Sequence, residues 1–130
     1  MRVRISNVSF AVSDCVTRLP FRFGINTMTW APTLTARVEL ETEAGAAVGY
    51  SADLLVPKWF EKDPGKSLQD DVNGLIASAL AAGKVAADPQ RSSKDETVFE
   101  LWWRIYQARV HSRPAEASDR LLRGFGVALV

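Results

Sequence analysis

The apolar residues of this chain change their period once. Up to about residue 53 they recur at every second position, and from Ser67 onward at every third or fourth. In "TLTARVELET", residues 33–42, Leu34, Ala36, Val38 and Leu40 alternate with Thr35, Arg37, Glu39 and Glu41. That pattern gives one dry face and one wet face, as an antiparallel strand covered on one side requires. In "SLQDDVNGLIASALAAG", residues 67–83, Leu68, Val72, Leu75, Ile76, Ala79 and Leu80 form a helical stripe. A chain that switches period once segregates its strands from its helices. The expectation is an α+β domain, a three-stranded antiparallel meander followed by a bundle of about three helices.

Two further strands complete the meander. "VRISNVSFAVS" alternates, with Val3 and Ile5 on one parity and Val8, Phe10 and Val12 on the other, so a bulge is expected at Ser6–Asn7. "ETEAGAAVGYS" turns through Glu43-Ala44-Gly45 and returns as the third strand, hairpinned to the second. Between the first two strands, "RLPFRFGINTMTWAP" carries Pro20, Gly24, Asn26 and Pro32 and reads as a long loop. It also holds Phe21, Phe23, Ile25, Met28 and Trp30, too much apolar surface for a solvated connector. The segment after the third strand, "SADLLVPKWFEKDPGKS", has the same character, with Leu54, Leu55, Val56, Trp59 and Phe60 among its prolines.

Helix signals follow. Ser67 is the expected N-cap of the first helix, Asp70 and Asp71 are solvated acids in its first turn, and Gly83 is its stop. Ser93 and Glu96 suggest a capping box for a second helix with Val98, Leu101, Trp102, Ile105, Ala108 and Phe99 on its inner side, limited by Pro114. Trp102 and Trp103 then read as one core and one half-covered ring. A third helical piece starts near Pro114, carries Leu121 and Leu122, and is broken by Gly124 and Gly126, after which "VALV" could open another helix. Strands thus occupy about 2–53 and helices about 67–125 of one 130-residue domain.

Composition narrows the function. A formal net charge of +1 argues against a nucleic-acid or polybasic membrane surface. The N-terminus alternates rather than running apolar, so it does not read as a signal peptide, and no ~20-residue apolar run appears. A cytoplasmic setting is expected. Cys15 is the single cysteine, and with Asp14 beside it a packing role is expected. His111, the single histidine, sits near a helix end between Arg109 and Arg113 without partners at ligand spacing. No Ser/His/Asp set, phosphate loop or metal-ligand cluster can be assembled, so no catalytic or metal residue is assigned.

The order of parts resembles the N-terminal capping domain of the enolase superfamily, in its mandelate racemase and muconate-lactonizing branch. The residues carrying the resemblance are Leu19-Pro20 after the first strand, Val38 to Thr42, and "GAAVGYSA" from Gly45 to Ala52. Tyr50, Ser51 and Ala52 stand where that branch usually has Trp, Gly and Glu. The resemblance implies a capping domain over 1–130 that closes a (β/α)₈ barrel of the same parent chain. The barrel is absent here, and "GFGVALV" resembles the lead into the helix that joins cap to barrel. It implies a parent isomerase or lyase that removes a proton α to a carboxylate, with Mg²⁺ in the barrel and no cofactor or catalysis in this chain. By position, the substrate loops would be Phe21, Phe23, Ile25, Met28 and Trp30, with Ser51, Asp53, Leu54 and Leu55. Expected partners are the barrel, a small carboxylate substrate and a further copy in a homo-oligomer, with no nucleic acid or membrane. The alternative is a stand-alone binding or interaction module that uses the same apolar loops.

Overall fold

The computed structural model describes residues 1–24, 26–90, 96–111 and 117–130, with side chains of the last segment from Leu122 onward. Its elements are β1 (Arg2–Ser13), β2 (Val16–Phe23), β3 (Asn26–Trp30), β4 (Thr33–Thr42), β5 (Gly45–Leu54), α1 (Leu68–Ala86), β6 (Glu96–Thr97), α2 (Val98–Val110) and α3 (Ala117–Leu129). The main sheet has the order β5-β4-β1-β6, all antiparallel, so the expected meander is β1, β4 and β5, extended by the two-residue β6 beside Arg2 and Val3. The register of β1 against β4 shifts between Ile5 and Asn7, which is the expected bulge. It lets Val3 and Ile5, and then Val8 and Phe10, face the same dry side despite their opposite parity. The β4–β5 turn needs Gly45, whose φ of 113° is disfavoured for residues with a Cβ.

The segment expected as a long loop is instead a second hairpin. β2 and β3 pair as their own two-stranded sheet. Pro20 and Gly24 obscured it. Gly24 (φ 55°) lies at the tip, and Pro20 falls where the pairing jumps from Val16↔Trp30 to Phe21↔Met28. An edge irregularity of that kind tolerates a missing N–H.

One face of the main sheet is covered by helices. Leu34, Ala36 and Leu55 join Val72, Leu75, Ala79, Leu122, Phe125 and Leu129 in one core cluster. Val3, Ile5, Val38, Ala82, Ala86, Leu101, Ile105 and Val127 form the second. Ser67 caps α1 as expected, in a reciprocal box with Asp70, but Gly83 does not stop the helix. It lies in a continuing turn, pressed under the Phe10 ring. Leu68 and Leu80 of the expected stripe are exposed, and Ser78, Ala82 and Ala86 take their place. Arg104 closes α1 from outside by donating to the carbonyls of Val85 (3.0 Å) and Ala86 (3.4 Å). The cap of α2 is Thr97, boxed with Glu100. Ser93, Pro114, Ile25 and the Leu121 side chain lie outside the described residues.

α3 runs unbroken through Gly124 and Gly126, and "VALV" supplies its end rather than a new helix. Gly126 is there for contact. Its N–H donates to Ser78 Oγ (3.3 Å), Ser78 Oγ donates to the Leu122 carbonyl (2.6 Å), and a Cβ at 126 would collide with the Ser78 carbonyl. A Cβ at Gly124 would meet nothing. Gly126→Ala is therefore expected to destabilise by about 1–3 kcal/mol. Gly124→Ala, on an open helix surface, should stabilise by up to about 1 kcal/mol. Urea unfolding midpoints of the two variants test the pair; equal effects would contradict this packing.

The caps also set an acid response. Hydrogen bonds from the Ser67 side chain and then its backbone hold the Asp70 carboxyl below its ordinary range. The Thr97 backbone and then its hydroxyl do the same for Glu100. A carboxyl lowered by folding contributes stability that is fully present above its unfolded pKa and lost as pH falls through the folded value. Thermal midpoints should thus fall as pH drops below about 4, and the Ser67→Ala/Thr97→Ala double variant should show a shallower acid limb.

Candidate functional site

The two apolar segments, some thirty residues apart in the chain, meet at the end of the main sheet where β1 finishes and β4 begins. Asn26 Nδ2 donates to the Pro57 carbonyl (3.3 Å), and the Phe23 ring meets Trp59 edge-on at 5.2 Å, with Phe21 stacked on Phe23 at 6.1 Å. Between the hairpin tip and the segment after β5 lies a cleft of about 440 Å³, lined by Phe23, Gly24, Asn26, Lys58, Lys62, Pro64 and Leu68. A smaller cavity of about 250 Å³ adjoins Asp53, Leu54, Val56, Trp59 and Phe60.

Lys58 holds this arrangement together. Its backbone turns at φ 62°, a conformation unusual for a residue with a Cβ. Its N–H donates to Asp71 Oδ2 (3.0 Å), and its ammonium bonds the carbonyls of Asp63 (2.8 Å) and Lys66 (2.7 Å) while lying 3.1 Å from Asp71 Oδ2. Asp71 is therefore not a solvated first-turn acid. It is buried, and one helix carboxylate anchors the segment after β5. Lys66 pairs with Glu61 at 2.8 Å, and that hydrogen bond raises its pKa. Lys62 lines the cleft and has no ion-pair partner among the described residues. Arg18 and Arg22 are exposed on the hairpin.

The residues expected at this site divide. Phe21 is exposed, and Met28 stands opposite it in the hairpin register. Phe23 lines the cleft. Trp30 is half-buried against the core and donates Nε1–H to Asp14 Oδ1 (2.5 Å). Asp53 and Leu54 flank the smaller cavity, and Asp53 Oδ1 accepts the Leu54 N–H (2.7 Å). Leu55 is a correction. It is fully buried in the core and unavailable to any ligand, because its N–H is tied to the Pro32 carbonyl (2.7 Å) and its side chain turns under the sheet. Ser51 is another, since it lies on the helix-covered side and bonds the Leu129 carbonyl of α3. The expectation missed Asn26, Lys58, Lys62 and Leu68. A lysine set between Pro57 and Trp59 in an apolar run was the available signal for Lys58.

Elsewhere, Trp102 and Trp103 are both exposed, so neither is the expected core ring. His111 is the C-cap of α2, its N–H donating to the Gln107 carbonyl (3.2 Å). Among the described residues no three His, Cys, Asp or Glu side chains gather as metal ligands, and no helix is long and apolar enough to cross a membrane. Compared with protein-family models, curated proteins and solved structures, the chain gives no match.

If Asp71 anchors the segment after β5, Asp71→Ala should cost about 3–5 kcal/mol by stranding the Lys58 ammonium. Asp70→Ala, which touches only the cap, should cost less. Urea unfolding of both variants makes the comparison; a larger loss from Asp70→Ala would count against the anchor.

Proposed function

We propose that this chain is the lid domain of an enolase-superfamily enzyme of the mandelate racemase and muconate-lactonizing kind. The β2–β3 hairpin and the segment after β5 close over the mouth of a (β/α)₈ barrel belonging to the same parent protein. One observation carries the reading. Two segments distant in sequence converge at one end of the sheet, leave Phe21, Leu54 and Trp59 exposed there, and enclose a cleft with Phe23 in its wall, rather than folding all of these residues into the core.

A lid of this composition excludes water from the reacting groups beneath it, which strengthens the electrostatic interactions there. Lys62, at the cleft wall, is the group that would meet a small carboxylate. In this reading the metal and the base that takes the α-proton both belong to the barrel. The chain's own contribution is closure and substrate selection.

The test uses the full reading frame. It should encode a barrel with acidic metal ligands after this domain, and the whole protein should exchange the α-proton of a carboxylate substrate in D₂O. Phe23→Ala should lower kcat/KM about 10- to 100-fold, on the scale expected when a group that positions substrate is lost. A stop directly after codon 130 would instead leave a stand-alone binding module.

A further inference from the structure

α2 has two apolar faces, and only one is covered. Leu101 and Ile105 enter the core beside Val3, Ile5 and Val127. Phe99, Trp102 and Trp103, at i, i+3 and i+4, turn away from that core, and Tyr106 at i+7 continues their row with its ring partly buried against the second core cluster. Phe99 is 67% exposed, Trp102 40% and Trp103 45%. Their rings form one continuous slab. Phe99 and Trp103 lie 6.3 Å apart at 9°, Trp103 and Tyr106 5.4 Å apart at 14°, and Trp102 and Tyr106 5.3 Å apart at 27°. Rings stacked on one another in this way have less freedom left to lose on association.

We propose that this slab is the seam of a homodimer, in which α2 packs antiparallel against α2 of a second copy across a two-fold axis. The spacing argues for a copy of the same chain. Aromatic-x-x-Trp-Trp-x-x-aromatic reads the same in both directions. A two-fold axis between Trp102 and Trp103 therefore sets Phe99 against Tyr106 of the partner subunit and each Trp against the other. That is the self-complementarity an isologous contact requires. None of the four positions is charged, so two identical slabs meet without like-charge repulsion.

Area sets the strength of the contact rather than its partner. The three most exposed rings present on the order of 300 Å² per copy, against roughly 800 Å² per partner in a stable interface. Trp and Tyr are the side chains that dominate such contacts. The seam also leaves the cleft open. α2 is tied by β6 to Arg2 and Val3 at the start of β1, while the hairpin follows Ser13 at its end, roughly 35 Å away along the strand. The proposal does not rest on the lid role.

Sedimentation velocity of this chain over a dilution series should show a concentration-dependent monomer–dimer equilibrium. Trp103→Glu and Phe99→Glu should each raise the dimer Kd by at least ~30-fold with the far-UV circular dichroism unchanged. Phe99 has the most exposed ring, so its variant decides should Trp103→Glu fail to fold. In a Cys15→Ser background, a mixture of Phe99→Cys and Tyr106→Cys proteins should form a covalent dimer on oxidation, and neither variant should do so alone. A wild-type chain that stays monomeric at every concentration overturns the proposal. So does a dimer that survives Phe99→Glu, or cross-linking of either cysteine variant with itself.

Discussion

The sheet of β1, β4 and β5 presents one continuous apolar face, and covering it constrains everything else in the domain. Leu34, Ala36 and Val38 on β4, with Val3, Ile5, Val8 and Phe10 on β1, have to leave water together because antiparallel pairing fixes them on one side. α1 lies across that face, and α3 seats against α1 closely enough that Ser78 and Gly126 bond through a hydroxyl. Two core clusters result, one beneath each end of the sheet. The small residues at the contact (Ala79, Ala82, Ala86, Gly83) are what allow a helix to lie this near a strand layer. Larger side chains there would lift α1 away and open both clusters at once.

With one face spent on the helices, the chain has limited room to bury the aromatics between β1 and β4. Those residues pair as a separate hairpin and lean on the segment after β5. The lean is held at one buried carboxylate. Asp71 accepts from the backbone N–H of Lys58 and forms an ion pair with its ammonium, which itself donates to two carbonyls. A buried charge pair of this kind fixes position more than it adds stability, because both partners have given up water. The segment after β5 is thus placed by α1, and the hairpin is placed by that segment through Asn26 and Trp59.

The alternation of β4, the bulge at Ser6–Asn7, the Gly45 turn and the Ser67 cap were legible because each rests on neighbours in sequence. What could not be read depends on contacts between distant residues. Gly83 and Gly126 look like helix stops by composition, yet both sit inside helices because a ring and a carbonyl from other elements occupy the space a Cβ would fill. Pro20 and Gly24 look like loop residues, and the Phe21↔Met28 pairing that makes them a hairpin is visible only across strands. Asp71 and Asp70 are adjacent acids with opposite fates, decided by Lys58 thirteen residues earlier. At the candidate site, the aromatic content of both segments was legible, while the cleft between them and the inward turn of Leu55 were not.

α2 was misread for a related reason. Its apolar residues surround the helix, so a single inner stripe could be drawn through Leu101, Trp102 and Ile105, when burial selects Leu101 and Ile105 alone. The magnitudes say what kind of contact the remaining slab supports. Two copies burying on the order of 600 Å² of ring surface gain about 15 kcal/mol at 25 cal/mol per Å². Association costs about 4–15 kcal/mol in lost rigid-body freedom before any side chain is ordered. The aromatic seam alone therefore lies near balance. That balance favours an exchangeable pair over an obligate one. It fits a domain whose two core clusters, completed within one chain, leave the fold independent of its partner.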